Sequence, residues 1–131
     1  MEFLNVVVAA LGAFAFGAVW YMTMAKPWMA AADIAMDANG KPQGGGSMMP
    51  FVVGILAMLI VAGMMRHMFQ MAGISGLGMG VTAGLGIGAF FITPWMAMNY
   101  AFATRKPALT VIDGVNSVVG CGIMGFILAL F

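Results

Sequence analysis

No Asp, Glu, Lys or Arg lies between Glu2 and Lys26, between Lys41 and Arg66, between Arg66 and Arg105, or beyond Asp113. A soluble domain commits roughly a quarter of its residues to charges, because a water-facing surface has to be covered. Here only 7% of 131 residues are charged and 63% are hydrophobic. The chain therefore needs lipid, or protein held in lipid, as its solvent.

Four apolar stretches follow, at residues 3–25, 49–69, 77–103 and 108–131, with Arg66 and Asp113 as their only charges. Each is near the ~20 residues that cross a hydrocarbon core about 30 Å thick. The pattern predicts an all-α integral membrane protein, one domain over residues 1–131 with four transmembrane helices. The opening MEFLN lacks the basic region of a secretory signal, and the apolar run after it is too long for one, so it is expected to stay as a membrane helix. Lys26-Pro27 ends the first helix, and Pro50 opens the second, where a missing N–H costs nothing. Pro94 lies inside the third. It should free a carbonyl near Phe90 and kink the helix, with Thr93 beside it to compensate. Short connections make helices two, three and four antiparallel neighbours.

The one long polar stretch, residues 26–48, holds Asp33, Asp37, Lys41 and a glycine run at 44–46. Its alanine-rich first half, residues 28–38, ends at Asn39-Gly40 and reads as a short interfacial helix or loop. Lys26, Lys41, Arg105 and Lys106 outweigh Arg66, which puts loops 26–48 and 104–107 in the cytoplasm and both termini on the periplasmic side. Trp20, Tyr21, Trp28, Trp95 and Tyr100 stand near helix ends and read as interface anchors.

The third helix opens with GLGMGVTAGLGIG. A phosphate-binding loop would set its glycines between a strand and a helix, with a lysine or acidic partner, and neither is present. The run therefore points to no nucleotide. Gly76, Gly80, Gly84 and Gly88 recur every four residues and sweep a band of roughly 120° at 3.6 residues per turn. In lipid such a band lets a second helix approach at backbone distance. Ala9, Ala13 and Gly17 on helix one, and Ser117, Cys121 and Gly125 on helix four, carry weaker versions of the device. Partners of this kind serve equally well within one chain and between subunits.

Asp113 lies inside helix four, with Asn116 and Ser117 a turn deeper, and Asn99 lies at similar depth on helix three. Polar groups at such depth mark either a structural clasp or an ion path, and Arg105 or Lys106 is placed to neutralise the carboxyl. Met64, His67, Met68 and Met71 share one end of helix two, and thioethers with imidazole suit Cu(I). Methionine is also a flexible core filler, and the chain carries 16 of them. The lone Cys121 forms no intramolecular disulfide. No Ser/His/Asp set or carboxylate pair suggests an enzyme, and no cofactor motif appears. A net charge of +1 without a basic run gives no nucleic-acid site.

Three stretches, FGAVWYMTMAKPWM, TPWMAMNYAFATRKP and LTVIDGVNSVVGCGIMGFILALF, carry a resemblance. Gly17, Trp20 and Tyr21, then Trp28 and Met29, then Asn99 and Tyr100 before a short basic loop, resemble the small bacterial membrane proteins called domain of unknown function 1761. Met22 and Thr23 stand where that family commonly has Ser-Pro, and Asp113 where it more often has an apolar or amide residue. The resemblance implies four membrane spans and a bacterial inner membrane, and no established activity. Together these features predict a non-enzymatic helix-packing module. Its partners would be the lipid bilayer and other transmembrane helices, in a homo-oligomer or as an accessory subunit of a larger complex. The competing expectation is a small transporter or channel that uses Asp113, Asn99 and Asn116.

Overall fold

A computed structural model describes residues 2–41 and 47–131. The glycine run at 44–46 lies outside the described residues. Helix α1 (Glu2–Thr23) leads into the short α2 (Ala25–Ala31), followed by α3 (Met49–Ala72), α4 (Leu77–Ile87), α5 (Thr93–Phe102) and α6 (Pro107–Leu130). A π-helical turn, Gly88–Ile92, joins α4 to α5 and makes one continuous helix of them. Four helical segments, Phe3–Thr23, Met49–Ala72, Leu77–Phe102 and Pro107–Leu130, are long and apolar enough to cross a membrane.

Helix α6 is the centre of the bundle. Half of its most apolar window is buried, 50% against 11% in α3. One side of α6 packs on α4 and the other on α1, and α3 rests chiefly on α1 with a smaller contact to α6. The small residues explain this order. Ala9, Ala10 and Ala13 of α1 are fully buried beside Ala62, Met65 and Phe69 of α3 and Cys121, Met124 and Leu128 of α6. Of the expected row of neighbours, helices three and four pack as antiparallel partners, whereas helices two and three do not close on each other. A four-residue turn joins α3 to α4, yet the two diverge and leave an apolar cleft of about 320 Å³, lined by Met68, Phe69, Ile74, Ala83, Ile87 and Phe90 among others.

The helix ends follow local chemistry. Gly73, at φ +67, caps α3, and the Ile74 N–H reaches back to the Phe69 carbonyl. Asp33 (φ 57) ends α2 in the same way, with the Ile34 N–H on the Met29 carbonyl. The helix expected over 28–38 therefore starts earlier and stops at Ala31, because Asp33 tolerates the left-handed conformation that a helix cannot continue through. Pro27 does not end the helical path. It sits in the first turn of α2, where no N–H is needed. Thr104 (φ 58) closes α5, with the Arg105 N–H on the Tyr100 carbonyl.

Pro94 is accommodated by the turn just before it. The helix widens at Gly88–Ile92, and the Gly88 carbonyl accepts both the backbone N–H and the Oγ1 hydroxyl of Thr93, the latter at 2.7 Å. A proline ring clashes with the carbonyl four residues before it, and a widened turn relieves that clash.

Candidate functional site

Two features are built at atomic detail: the α4–α6 seam and a polar cluster at the loop end of the bundle. In the seam, the glycines of α4 interleave antiparallel with α6. A Cβ placed on Gly80 would meet the Gly125 carbonyl oxygen at 2.6 Å, and one on Gly88 would meet that of Ser117 at 2.5 Å. On Gly84 it would strike the Cys121 carbonyl. Ser117, Cys121 and Gly125 thus receive the band within the same chain. Gly76 is not part of the band. It caps the start of α4 at φ +86, with nothing near its missing Cβ, because the turn from α3 needs a left-handed residue there. Ala9 and Ala13 pack in the core shared by α1, α3 and α6, and Gly17 faces the Asn116 amide oxygen.

The polar cluster centres on Asp113, half-buried on the first two turns of α6. The Tyr21 hydroxyl of α1 donates to its Oδ1 at 2.5 Å, and the Tyr100 hydroxyl of α5 donates to its Oδ2 at 2.5 Å. Each carboxyl oxygen thus has its own phenol, and three helices meet at one group. One residue earlier in sequence, the Ile112 carbonyl accepts from Trp20 Nε1 at 3.0 Å, which fixes the rotation of α1 against α6. Trp28 of α2 packs edge-on against Tyr21, with ring centres 5.9 Å apart, and Phe16 stacks on Trp20. Leu109, Ile112 and Ala31 form a small buried cluster that holds α2 over this end of α6.

Basic residues close the end from outside. Lys106 Nζ lies 3.1 Å from Asp33 Oδ1 and donates to the Ala30 carbonyl at 3.0 Å, while Arg105 Nη1 donates to the Ala32 carbonyl at 3.2 Å. The carbonyls at the end of α2 are the negative pole of that helix, so cations there are favourable. This corrects the expectation that Arg105 or Lys106 neutralises Asp113. Tyrosines occupy the carboxyl, and the bases are spent on α2. The two basic loops, around Lys26 and around Arg105, therefore share one end of the bundle.

The expected grouping of Asn99 and Asn116 with Asp113 does not form. Asn99 is exposed beside a shallow groove with Trp95, Met96 and Tyr100. Asn116 Oδ1 is buried toward Gly17 and, like Asn5 Oδ1, has no hydrogen-bond partner among the described residues. Ser117 Oγ donates to the Asp113 carbonyl at 3.0 Å, a local helix bond. Trp20, Tyr21, Trp28 and Tyr100, read from sequence as anchors, all turn toward α6 or its neighbours, whereas Trp95 is 68% exposed. On α3, Met64, His67 and Met71 face outward and Met68 lines the cleft. Among the described residues no group of three His, Cys, Asp or Glu side chains is placed to hold a metal ion.

Tyr21 and Tyr100 are the functional candidates that sequence reasoning missed as partners of Asp113. Their signal was there in part, since a carboxyl inside a span must find donors, and tyrosines near helix ends are the nearest ones available.

No curated protein and no solved structure matches the chain. A family model described as protein of unknown function (DUF1761) matches residues 4–129. That match covers all four spans, the Asp113 cluster and the α4–α6 seam, and the chain belongs to the DUF1761 family.

Proposed function

We propose that this four-span membrane protein is a non-enzymatic helix-packing module, working as a homo-oligomer or as an accessory subunit of a larger bacterial membrane complex. The observation that carries this reading is the open side of α3. That helix is held mainly by α1, and Leu56, Ile60, Met64 and Met71 point away from the bundle. Beside it, the cleft toward α4 has apolar walls. Helices in lipid associate by close packing rather than by transfer from water, so an unfilled groove between two spans favours a further helix. The charge asymmetry supports an inner-membrane orientation with loops 26–48 and 104–107 cytoplasmic and both termini periplasmic. Purification from native membranes under mild conditions tests the reading: a stoichiometric second membrane protein, or a multimer of this chain, is expected.

One observation favours a second reading, a small transporter of protons or ions. A carboxyl bonded by two phenols at the edge of the membrane is a proton-exchanging arrangement as well as a clasp. Liposome flux separates the two. Flux in the parent that Asp113→Asn abolishes selects transport, and equal or absent flux in both proteins removes it.

A further inference from the structure

The π turn stands between two demands that an ordinary α-helix cannot meet together. Before it, Gly80, Gly84 and Gly88 must face α6, because only bare backbone fits against Gly125, Cys121 and Ser117. After it, Thr93 and Tyr100 must face α6 as well. The Thr93 methyl lies against Gly114, where an added Cβ would come within 3.0 Å of it, and Tyr100 bonds Asp113.

At about 100° per residue, the twelve steps from Gly88 to Tyr100 leave the two about 120° apart around a regular α-helix. A π turn absorbs one extra residue. Eleven effective steps leave them about 20° apart, on the same face. Thr93 gives the same answer independently, with about 140° falling to about 40° relative to Gly88. Pro94 holds the segment in this form, since an α-turn there would press its ring on the Phe90 carbonyl, and the Thr93 hydroxyl satisfies Gly88 instead.

The geometry points to a conformational device: Gly88–Ile92, locked by Thr93 and Pro94, is a one-residue register insertion that turns Tyr100 onto Asp113 while leaving the glycine seam in place. Conversion of this turn to α without loss of a residue rotates α5 by about 100° and withdraws Tyr100 from the carboxyl. Tyr100 is thereby coupled to backbone geometry two turns away. The inference does not depend on the reading of the protein as an assembly module.

The test uses the full chain in nanodiscs and asks whether Tyr100→Phe still costs thermal stability in altered backgrounds. Phe90 is 77% exposed, so its deletion opens no cavity. Deleting Phe90 together with Pro94→Ala removes both the inserted residue and the ring that would press on an α-turn, and leaves both faces on α6. The Tyr100→Phe loss in Tm should then equal that in the parent, and Asp113→Asn should reduce it markedly in both. An alanine inserted between Met98 and Asn99 rotates Tyr100 away, and Tyr100→Phe should then have no effect. A Phe90 deletion with Pro94→Ala that unfolds, or that loses the Tyr100→Phe penalty, overturns the inference. So does an insertion that keeps the penalty.

Discussion

The backbone of Gly84 lies against the carbonyl of Cys121 with no room between them for one methyl group. Two helices of one chain share that seam, and the contact is backbone on backbone, so neither side yields by changing a rotamer. Gly84→Ala should therefore push α4 off α6, at a cost of about 1–3 kcal/mol or more. Gly86, on the same helix, has nothing within 4 Å of its missing Cβ. Gly86→Ala should be neutral or gain up to ~1 kcal/mol from lost backbone freedom in the unfolded chain. Thermal unfolding in detergent distinguishes the pair. Equal losses at both positions would mean that helix propensity, rather than the seam, sets the stability.

This seam also marks how far the sequence could be read. The four-residue spacing of Gly80, Gly84 and Gly88 exposes a smooth face on any α-helix, so the close approach was legible. Its owner was not, because Ala9, Ala13 and Gly17 offer α1 as a partner by the same spacing. What decides for α6 is that Gly122 and Gly125 also face α4, so both backbones are bare at the crossing. Gly76 fits the spacing yet serves the turn, since positive φ leaves no periodic mark. The Asp113 cluster was legible only as a lone carboxyl, because Tyr21 lies 92 residues away and belongs to a different helix.

Asp113 should behave as the tie of three helices. Tyr21→Phe and Tyr100→Phe each remove one hydrogen bond and little volume, so each is expected to cost about 1–3 kcal/mol. With Asp113→Asn in place, the two phenol substitutions should cost markedly less, because one amide cannot accept from both hydroxyls through two oxygens. A double-mutant cycle in detergent, read by thermal unfolding, measures the coupling. Strict additivity would show that the phenols do not act through this carboxyl.

Thr104 offers a stabilising change. It is exposed and held at φ 58, a conformation that a β-branched residue adopts at a cost of about 1–2 kcal/mol. Among the described residues its hydroxyl bonds the neighbouring Ala103 carbonyl. Thr104→Gly relieves the strain and keeps the Arg105 N–H on the Tyr100 carbonyl, and should raise Tm, whereas Thr104→Val should not. A drop in Tm with glycine would show that the α5 end owes more to the hydroxyl than to its backbone.

Thr93→Val isolates the cap on the π turn. The shape is kept and the Oγ1 donor to the Gly88 carbonyl is lost, so a cost near 1 kcal/mol is expected. Amide hydrogen exchange should rise around Gly88–Ile92 and stay unchanged in α3, which faces that turn across the apolar cleft. Exchange that rises equally along α3 would place the effect in the whole bundle.

The assignment to membrane assembly is tested most directly by the mass of the particle that leaves the membrane. Native mass spectrometry from nanodiscs made without prior delipidation should show this chain as a multimer or with a second polypeptide bound. Bulky apolar substitution of the outward face of α3, Ile60→Trp with Met64→Trp, should then release a monomer that keeps its fold. A single, partner-free 13.7 kDa species from the parent protein would contradict the assignment.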